Sequence, residues 1–427
     1  MLRALGHREV HRFHMNEGHA AFLVLALLEE NLTSGKTREP VTSAAIEAVR
    51  EQCVFTTHTP VPAGRDRFPG DLASRILGER IWGWAKACGQ DTILNMTDLA
   101  LRCSRFVNGV AMKHGEVSQG MFPGYPIHSI TNGVHAVTWA APSFQALYDR
   151  HLRDWRRDAL SLRYAVGIPG EEIWNAHLEA KHALIEYVNR ETNAGLDWNV
   201  LTIGFARRAT AYKRFLLIFH DPERLTSIVD RAGPLQLVFA GKAHPHDQDG
   251  KEMIRRVHEM GNALRGRVAF AYLANYDMAL ARLLCAGVDV WLNTPLPPLE
   301  ASGTSGMKAA INGVPSLSVL DGWWIEGHVE GMTGWAIGDR IESGQEPTSG
   351  LDDRHAAALY KKLAESVIPC YYHDRERFIE TMRHTIALNG GFFNTHRMVG
   401  QYLHDAYHIA GEYGRWQLSR MSDGGQP

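Results

Sequence analysis

Residues 300–308 read Glu-Ala-Ser-Gly-Thr-Ser-Gly-Met-Lys, and Ala309-Ala310-Ile311-Asn312 follows them. A carboxylate comes first, then small and hydroxyl residues with glycines at 303 and 306, then a lysine in what the pattern predicts as a first helical turn. Glycine lets a backbone approach an anion closely, and the free N–H groups at a helix start attract one. Thr304 and Lys308 are four apart and would share a helix face. A lysine beside such a turn can form a Schiff base with pyridoxal phosphate. Taken alone, the same letters also describe a glycine-rich turn capping an ordinary helix with a surface lysine.

Outward from this run, strands and helices alternate from about residue 196. Val200–Ala206, Leu235–Ala240, Val268–Leu273, Val288–Leu292 and Ser316–Leu320 read as apolar strands. Between them, Arg214–Val229, Gly250–Leu264, Asp277–Cys285 and the Lys308 segment read as helices. Strands buried on both faces and separated by helices imply a parallel, doubly wound, Rossmann-like α/β sheet. Ligands in such folds gather at the carboxyl ends of the strands, where the loops after Ala206 and Leu292 fall. The first of these loops holds Arg207, Arg208, Lys213 and Arg214 within eight residues, a pattern that suits an anion.

Residues 1–150 also read as α/β, but with few strands: Val10–Met15, Val54–Thr57 and Ile127–Thr131. His19–Glu29 and Thr97–His114 read as helices, the latter with Thr97 as N-cap. Residues 151–195 bridge the two parts with one strong helix, Glu171–Arg190, whose Trp174, Leu178, Ile185 and Val188 keep helical spacing. The expected organisation is 1–150, 151–395, and a terminal helix and tail at 396–427. Within that last piece His396–Tyr413 reads as helix and Ser422–Pro427 as a disordered tail.

The bulk numbers narrow the function. A net charge of −2 gives no footing for nucleic acid or an anionic membrane surface. Hydrophobic residues at 45% and charged residues at 22% are ordinary for a soluble globular chain. The apolar run Ala20–Leu28 is too short to span a bilayer. Five scattered cysteines without a Cys-x-x-Cys pair fit a reduced, cytoplasmic setting. None of the 22 histidines has zinc-site spacing, so no metal is expected.

The 300–308 run closely resembles the cofactor-lysine signature of the α-glucan phosphorylases. Asn312-Gly313-Val314 and Leu320-Asp321-Gly322-Trp323-Trp324-Ile325-Glu326-Gly327 resemble the bacterial and archaeal branch. Ala206–Arg214, Leu237–Pro245, Asn275-Tyr276, Phe55–Pro62 and Thr131–His135 are similar to further blocks of that family. The resemblance implies a two-lobed Rossmann-like architecture of the GT-B glycosyltransferase type, with the second lobe complete and the first incomplete. It implies reversible phosphorolysis of α-1,4-glucan by inorganic phosphate to α-glucose-1-phosphate, with retention. Pyridoxal phosphate would act through its phosphate group rather than through its ring. By the same resemblance Lys308 carries the cofactor and Arg207 faces the cofactor phosphate. Arg208 and Lys213 hold inorganic phosphate, while Thr304, Ser305, Tyr276 and Trp139 border the cofactor. His58, Asn132 and Glu300, with the backbone of Ala301, Ser302 and Gly303, hold sugar hydroxyls.

The match covers only the latter half of a typical family member. No Gly-Gly-Leu-Gly loop is present to close over the substrate phosphate. The expectation is therefore a truncated product, an incomplete piece or half of a split enzyme, with self-association or a missing N-terminal half as its partner. Two other readings stay open. One is a remnant that only binds carbohydrate or a partner. The other is a nucleotide-sugar glucosyltransferase of the glycogen-synthase type, against which an aldehyde-trapping lysine would speak.

Overall fold

A computed structural model describes residues 3–7, 9–33, 41–60, 65–341 and 350–408. The chain divides into two compact units, residues 1–131 with 399–427, and residues 132–398. Residues 132–150, expected with the first segment, pack in the second: Val134, Phe144, Leu147 and Tyr148 are buried in its core beside Trp155 and Leu162.

Unit 1 contains strands β1 (Phe13–Asn16), β2 (Cys53–Thr56), β3 (Arg67–Pro69), β4 (Ile93–Asn95), β5 (Phe106–Gly109) and β6 (His128–Ser129). β1, β2, β5 and β6 form a parallel sheet in that order, and β3 and β4 pair antiparallel. Its core gathers Met15, Val24, Leu28, Phe55, Leu99 and Val107. The single helix expected over 97–114 is instead a helix at Met96–Arg102, strand β5, and a second helix at Met112–Met121. The neighbours Phe106 and Val107 are both buried, as in a strand covered on two faces. Asn95, not Thr97, caps the first helix, its side chain accepting from Asp98 N.

Residues 399–408 return to unit 1. The helix Thr395–Gln401 runs into a wider turn, Tyr402–Ala406. Tyr402 Oη accepts from Asn108 Nδ2 at 3.0 Å and lies 3.2 Å from Thr56 Oγ1. The His14 ring hydrogen-bonds Tyr407 Oη at 2.6 Å and Thr56 Oγ1 at 2.7 Å. Residues 409–413 of the expected terminal helix, and the tail, lie outside the described residues.

Unit 2 contains β7 (Leu201–Ala206), β8 (Leu235–Ala240), β9 (Ala269–Leu273), β10 (Val290–Asn293), β11 (Ser316–Val319) and β12 (Gly334–Ile337), all parallel, in the order β12-β11-β10-β7-β8-β9. Five of the six follow the apolar runs in the sequence, and β12 is additional. Every residue of β7 and β8 is buried, as central parallel strands require. The helix expected from Arg214 begins only at Pro222, capped by the Asp221 side chain. Before it Arg214 turns left-handed, with φ 48°. Its guanidinium donates to Thr294 O at 2.9 Å and Pro295 O at 2.6 Å, and pairs with Asp352 at 2.8 Å. Arg214 is thus a structural clamp between the loops after β7 and β10. Among the described residues, no helix is long and apolar enough to cross a membrane.

Candidate active site at the carboxyl edge of the six-stranded sheet

Three strand ends converge on Glu300. Arg207 follows β7, its N–H donating to Ala240 O at the end of β8 (3.2 Å). Gly241 comes next after β8, and a Cβ there would stand 2.3 Å from Arg207 O, so this close approach requires glycine. The buried Arg207 Nη1 donates to Asn293 Oδ1, at the end of β10, and to Glu300 Oε2 at 3.1 Å. Lys213 Nζ donates to the same Oε2 at 2.5 Å.

The electrostatics of this cluster are uneven. Burial opposes ionisation of Glu300, but Arg207 and Lys213 outweigh it and hold the carboxyl below its ordinary range. Burial first, then the charge of Arg207, push the Lys213 ammonium down to about 8. Asp321, beyond β11, accepts from Glu300 N at 2.8 Å and Gly322 N at 2.9 Å. Its burial pushes its pKa up to about 7. Two neighbouring acids therefore part: the Glu300 carboxyl is held down by its cations while the Asp321 carboxyl is pushed up by burial. Arg207 Nε is buried with no hydrogen-bond partner. A buried donor left unmade costs about 1–3 kcal/mol, more when charged, so this N–H is open to an acceptor.

Lys308 lies on the helix Thr304–Ile311, which starts after Gly303 in the left-handed region (φ 89°). A Cβ on Gly306 would stand 2.7 Å from the Trp323 ring, so the small residues let this buried tryptophan pack under the turn. Lys308 Nζ sits 4.1 Å from the Trp139 ring centroid. Asn312 fixes that pairing: it accepts from Ala141 N at 2.7 Å and donates to Trp139 O at 2.9 Å. Burial lowers the pKa of Lys308, with Cys285 opposing, and no carboxylate pairs with it among the described residues. Such an amine reaches its neutral, nucleophilic form more easily than a solvated lysine.

Tyr276 lies within the electrostatic reach of Arg207, and Cys285 within that of Lys308. Burial, and next Cys285, raise the Tyr276 phenol against the pull of Arg207. Burial pushes the Cys285 thiol up to about 12 against the pull of Lys308. Ser305 Oγ accepts from Trp291 Nε1 at 3.2 Å, and Thr304 is half-buried beside it. Asn132 Nδ2 donates to Ser302 Oγ at 3.2 Å, bringing the Asn-Gly turn to the small-residue run at Ala301–Gly303. Arg397 donates to Asn132 O at 2.9 Å from the far end of the unit.

Arg208 and His58 were also expected at the site. The Arg208 side chain is exposed, and no hydrogen bond or ion pair holds it among the described residues. His58 belongs to unit 1. Its N–H donates to Glu17 Oε2 at 2.7 Å, and its Nε2 lies 2.5 Å from Asn16 Oδ1. Asn293, Asn312 and Asp321 were missed as contributors by sequence reasoning, although Asn312 and Asp321 lie inside the quoted motifs.

The model of the carbohydrate phosphorylase family matches residues 86–333, which hold every group just described except Arg397 and the unit 1 residues. The chain belongs to the carbohydrate phosphorylase family. Maltodextrin phosphorylase of Thermococcus litoralis is 42% identical over 92% of this chain and 50% of its own length. Glycogen phosphorylase of Mycobacterium tuberculosis is 40% identical over 92% of this chain and 51% of its own. Glycogen phosphorylase of Aquifex aeolicus is 38% identical over 92% of this chain and 62% of its own. The chain thus spans about half to three fifths of the length of these phosphorylases.

Proposed function

We propose that the chain carries the cofactor and phosphate sites of a glucan phosphorylase, cleaving α-1,4-glucan with inorganic phosphate to α-glucose-1-phosphate. What carries the reading is Arg207. It is buried beside Lys213 with one N–H unpartnered, in one neighbourhood with a desolvated amine that lacks an acid partner. These groups suit pyridoxal phosphate: an aldehyde for Lys308, the Trp139 face for a flat ring, and the helix start with Arg207 for a phosphate. Bound there, the cofactor would supply a second phosphate able to give and take a proton.

The chain's own residues do the rest. Two phosphates repel at close range, so the cations must neutralise them. Arg207 is assigned to the cofactor phosphate; Lys213 and the exposed Arg208 are assigned to orthophosphate. The glycosidic C1–O bond breaks as a C1–O–phosphate bond forms, and the departing sugar oxygen takes the proton that the attacking phosphate gives up. Cations at fixed positions lower the barrier because they need no reorganisation as charge shifts. Glu300, Asn132 and the backbone of Ala301, Ser302 and Gly303 are assigned to sugar hydroxyls. Assigning His58 to another hydroxyl rests on the resemblance of its loop.

Borohydride reduction of the chain after incubation with pyridoxal phosphate tests the reading. Mass analysis should place one reduced adduct on Lys308, absent in Lys308→Ala. The loaded chain should then release glucose-1-phosphate from maltodextrin and phosphate. An adduct without product would leave a carbohydrate-binding remnant; no adduct would remove the pyridoxal reading itself.

A further inference from the structure

Glu17, directly after β1, has φ 72° and ψ 162°. That region of backbone space is essentially confined to glycine, and other residues persist there only when their surroundings over-determine them. The surroundings here are specific. Glu17 N donates to Thr56 O at 2.8 Å, so the bend is made against the end of β2. Glu17 Oε1 accepts from Gly18 N at 2.9 Å. Glu17 Oε2 accepts from His58 N at 2.7 Å and from Thr59 Oγ1 at 2.9 Å. The preceding residue, Asn16, holds the His58 ring through Oδ1 at 2.5 Å.

Capping the single turn Gly18–Ala20 needs only one oxygen, and Ser, Asn or Asp would serve. A glycine at 17 would make the bend without strain. Neither accounts for an oxygen spent on a loop 41 residues away. The strain is tolerated for the carboxylate.

We infer that Glu17 is a positioning residue: its carboxylate fixes the backbone of residues 57–59 and, with Asn16, aims the His58 imidazole at a sugar hydroxyl. The inference rests on the reading of His58 as a sugar contact. With Nε2 donating to the Asn16 side-chain Oδ1, a neutral His58 ring keeps Nδ1 as an acceptor, and no hydrogen bond occupies that atom among the described residues. A sugar O–H is the donor that would fit it.

The test compares the full chain with Glu17→Gln and Glu17→Gly. Glutamine keeps the shape but turns one acceptor oxygen into a donor, and glycine removes the carboxylate while relaxing the bend. In both variants the His58 amide should exchange with solvent about tenfold faster, as local opening becomes easier. The His58 ring should show a changed NMR titration, and maltodextrin affinity should fall about tenfold, worth about 1.4 kcal/mol. Pyridoxal phosphate loading at Lys308 should be unchanged, and Glu17→Gly should melt within a few degrees of wild type. Unchanged His58 exchange in either folded variant overturns the inference. So does a lowered melting temperature with sugar affinity intact, which would mark a merely structural glutamate. If the wild-type chain binds no maltodextrin, the sugar reading of His58 falls, and the exchange experiment still decides whether Glu17 orders the loop.

Discussion

Asp321 and Glu300 show how far one residue's chemistry depends on its neighbours. Both are buried acids, joined by a hydrogen bond from Glu300 N to Asp321 Oδ2. Glu300 receives two cations; Asp321 receives only backbone N–H groups and stays partly protonated to about pH 7. This has a consequence for stability. Below about pH 4 Asp321 is protonated in both folded and unfolded chains. Between about pH 4 and 7 the folded chain keeps a proton that the unfolded chain has released, so stability from this group falls as pH rises through 7. Asp321→Asn should be less stable overall but should lose that slope, read from urea midpoints at pH 5 and 7.5. The basic cluster itself was legible, because four cations crowd eight residues. Which of them turns inward was not: Arg207 and Lys213 are buried on one carboxylate, Arg208 is exposed, and Arg214 braces two loops. Partners a hundred residues apart in sequence leave no local signal.

At the scale of elements, Asn312 joins the Lys308 helix to the segment carrying Trp139. Asn312→Ala removes acceptor and donor together and leaves Ala141 N and Trp139 O without their partners. It should destabilise unit 2 by about 1–3 kcal/mol. It should also slow borohydride-trapped adduct formation at Lys308, because Trp139 no longer fixes the amine; mass analysis over time reads this. Strands β7 and β8 were plain in the sequence because unbroken apolar runs between helices have few other meanings. β5 was not. Phe106-Val107 sits four residues from one helix and five from the next, so the apolar spacing ran through it unbroken. The start of the helix at Pro222 was hidden for a related reason: Arg214-Phe215-Leu216-Leu217-Ile218-Phe219 is apolar enough for a helix, but Arg214 is held left-handed by carbonyls from the β10 loop. Tertiary hydrogen bonds there override local propensity.

At the scale of the whole molecule, each unit closes its own core. Unfolding should therefore depart from two-state behaviour, with calorimetry showing two transitions. Pyridoxal phosphate and orthophosphate should raise only the transition of unit 2, since their proposed ligands all lie in residues 132–398. At about 100 times Kd the gain is about 2.7 kcal/mol. One merged transition that moves as a whole would show the two units to be thermodynamically inseparable.

The return of residues 399–408 to unit 1 also sets an order on biosynthesis. Asn108 and Thr56 emerge from the ribosome early, yet the Tyr402 hydroxyl that joins them is translated only after the whole of residues 132–398. The nascent first unit must wait with that polar corner open until all of residues 132–398 have been translated.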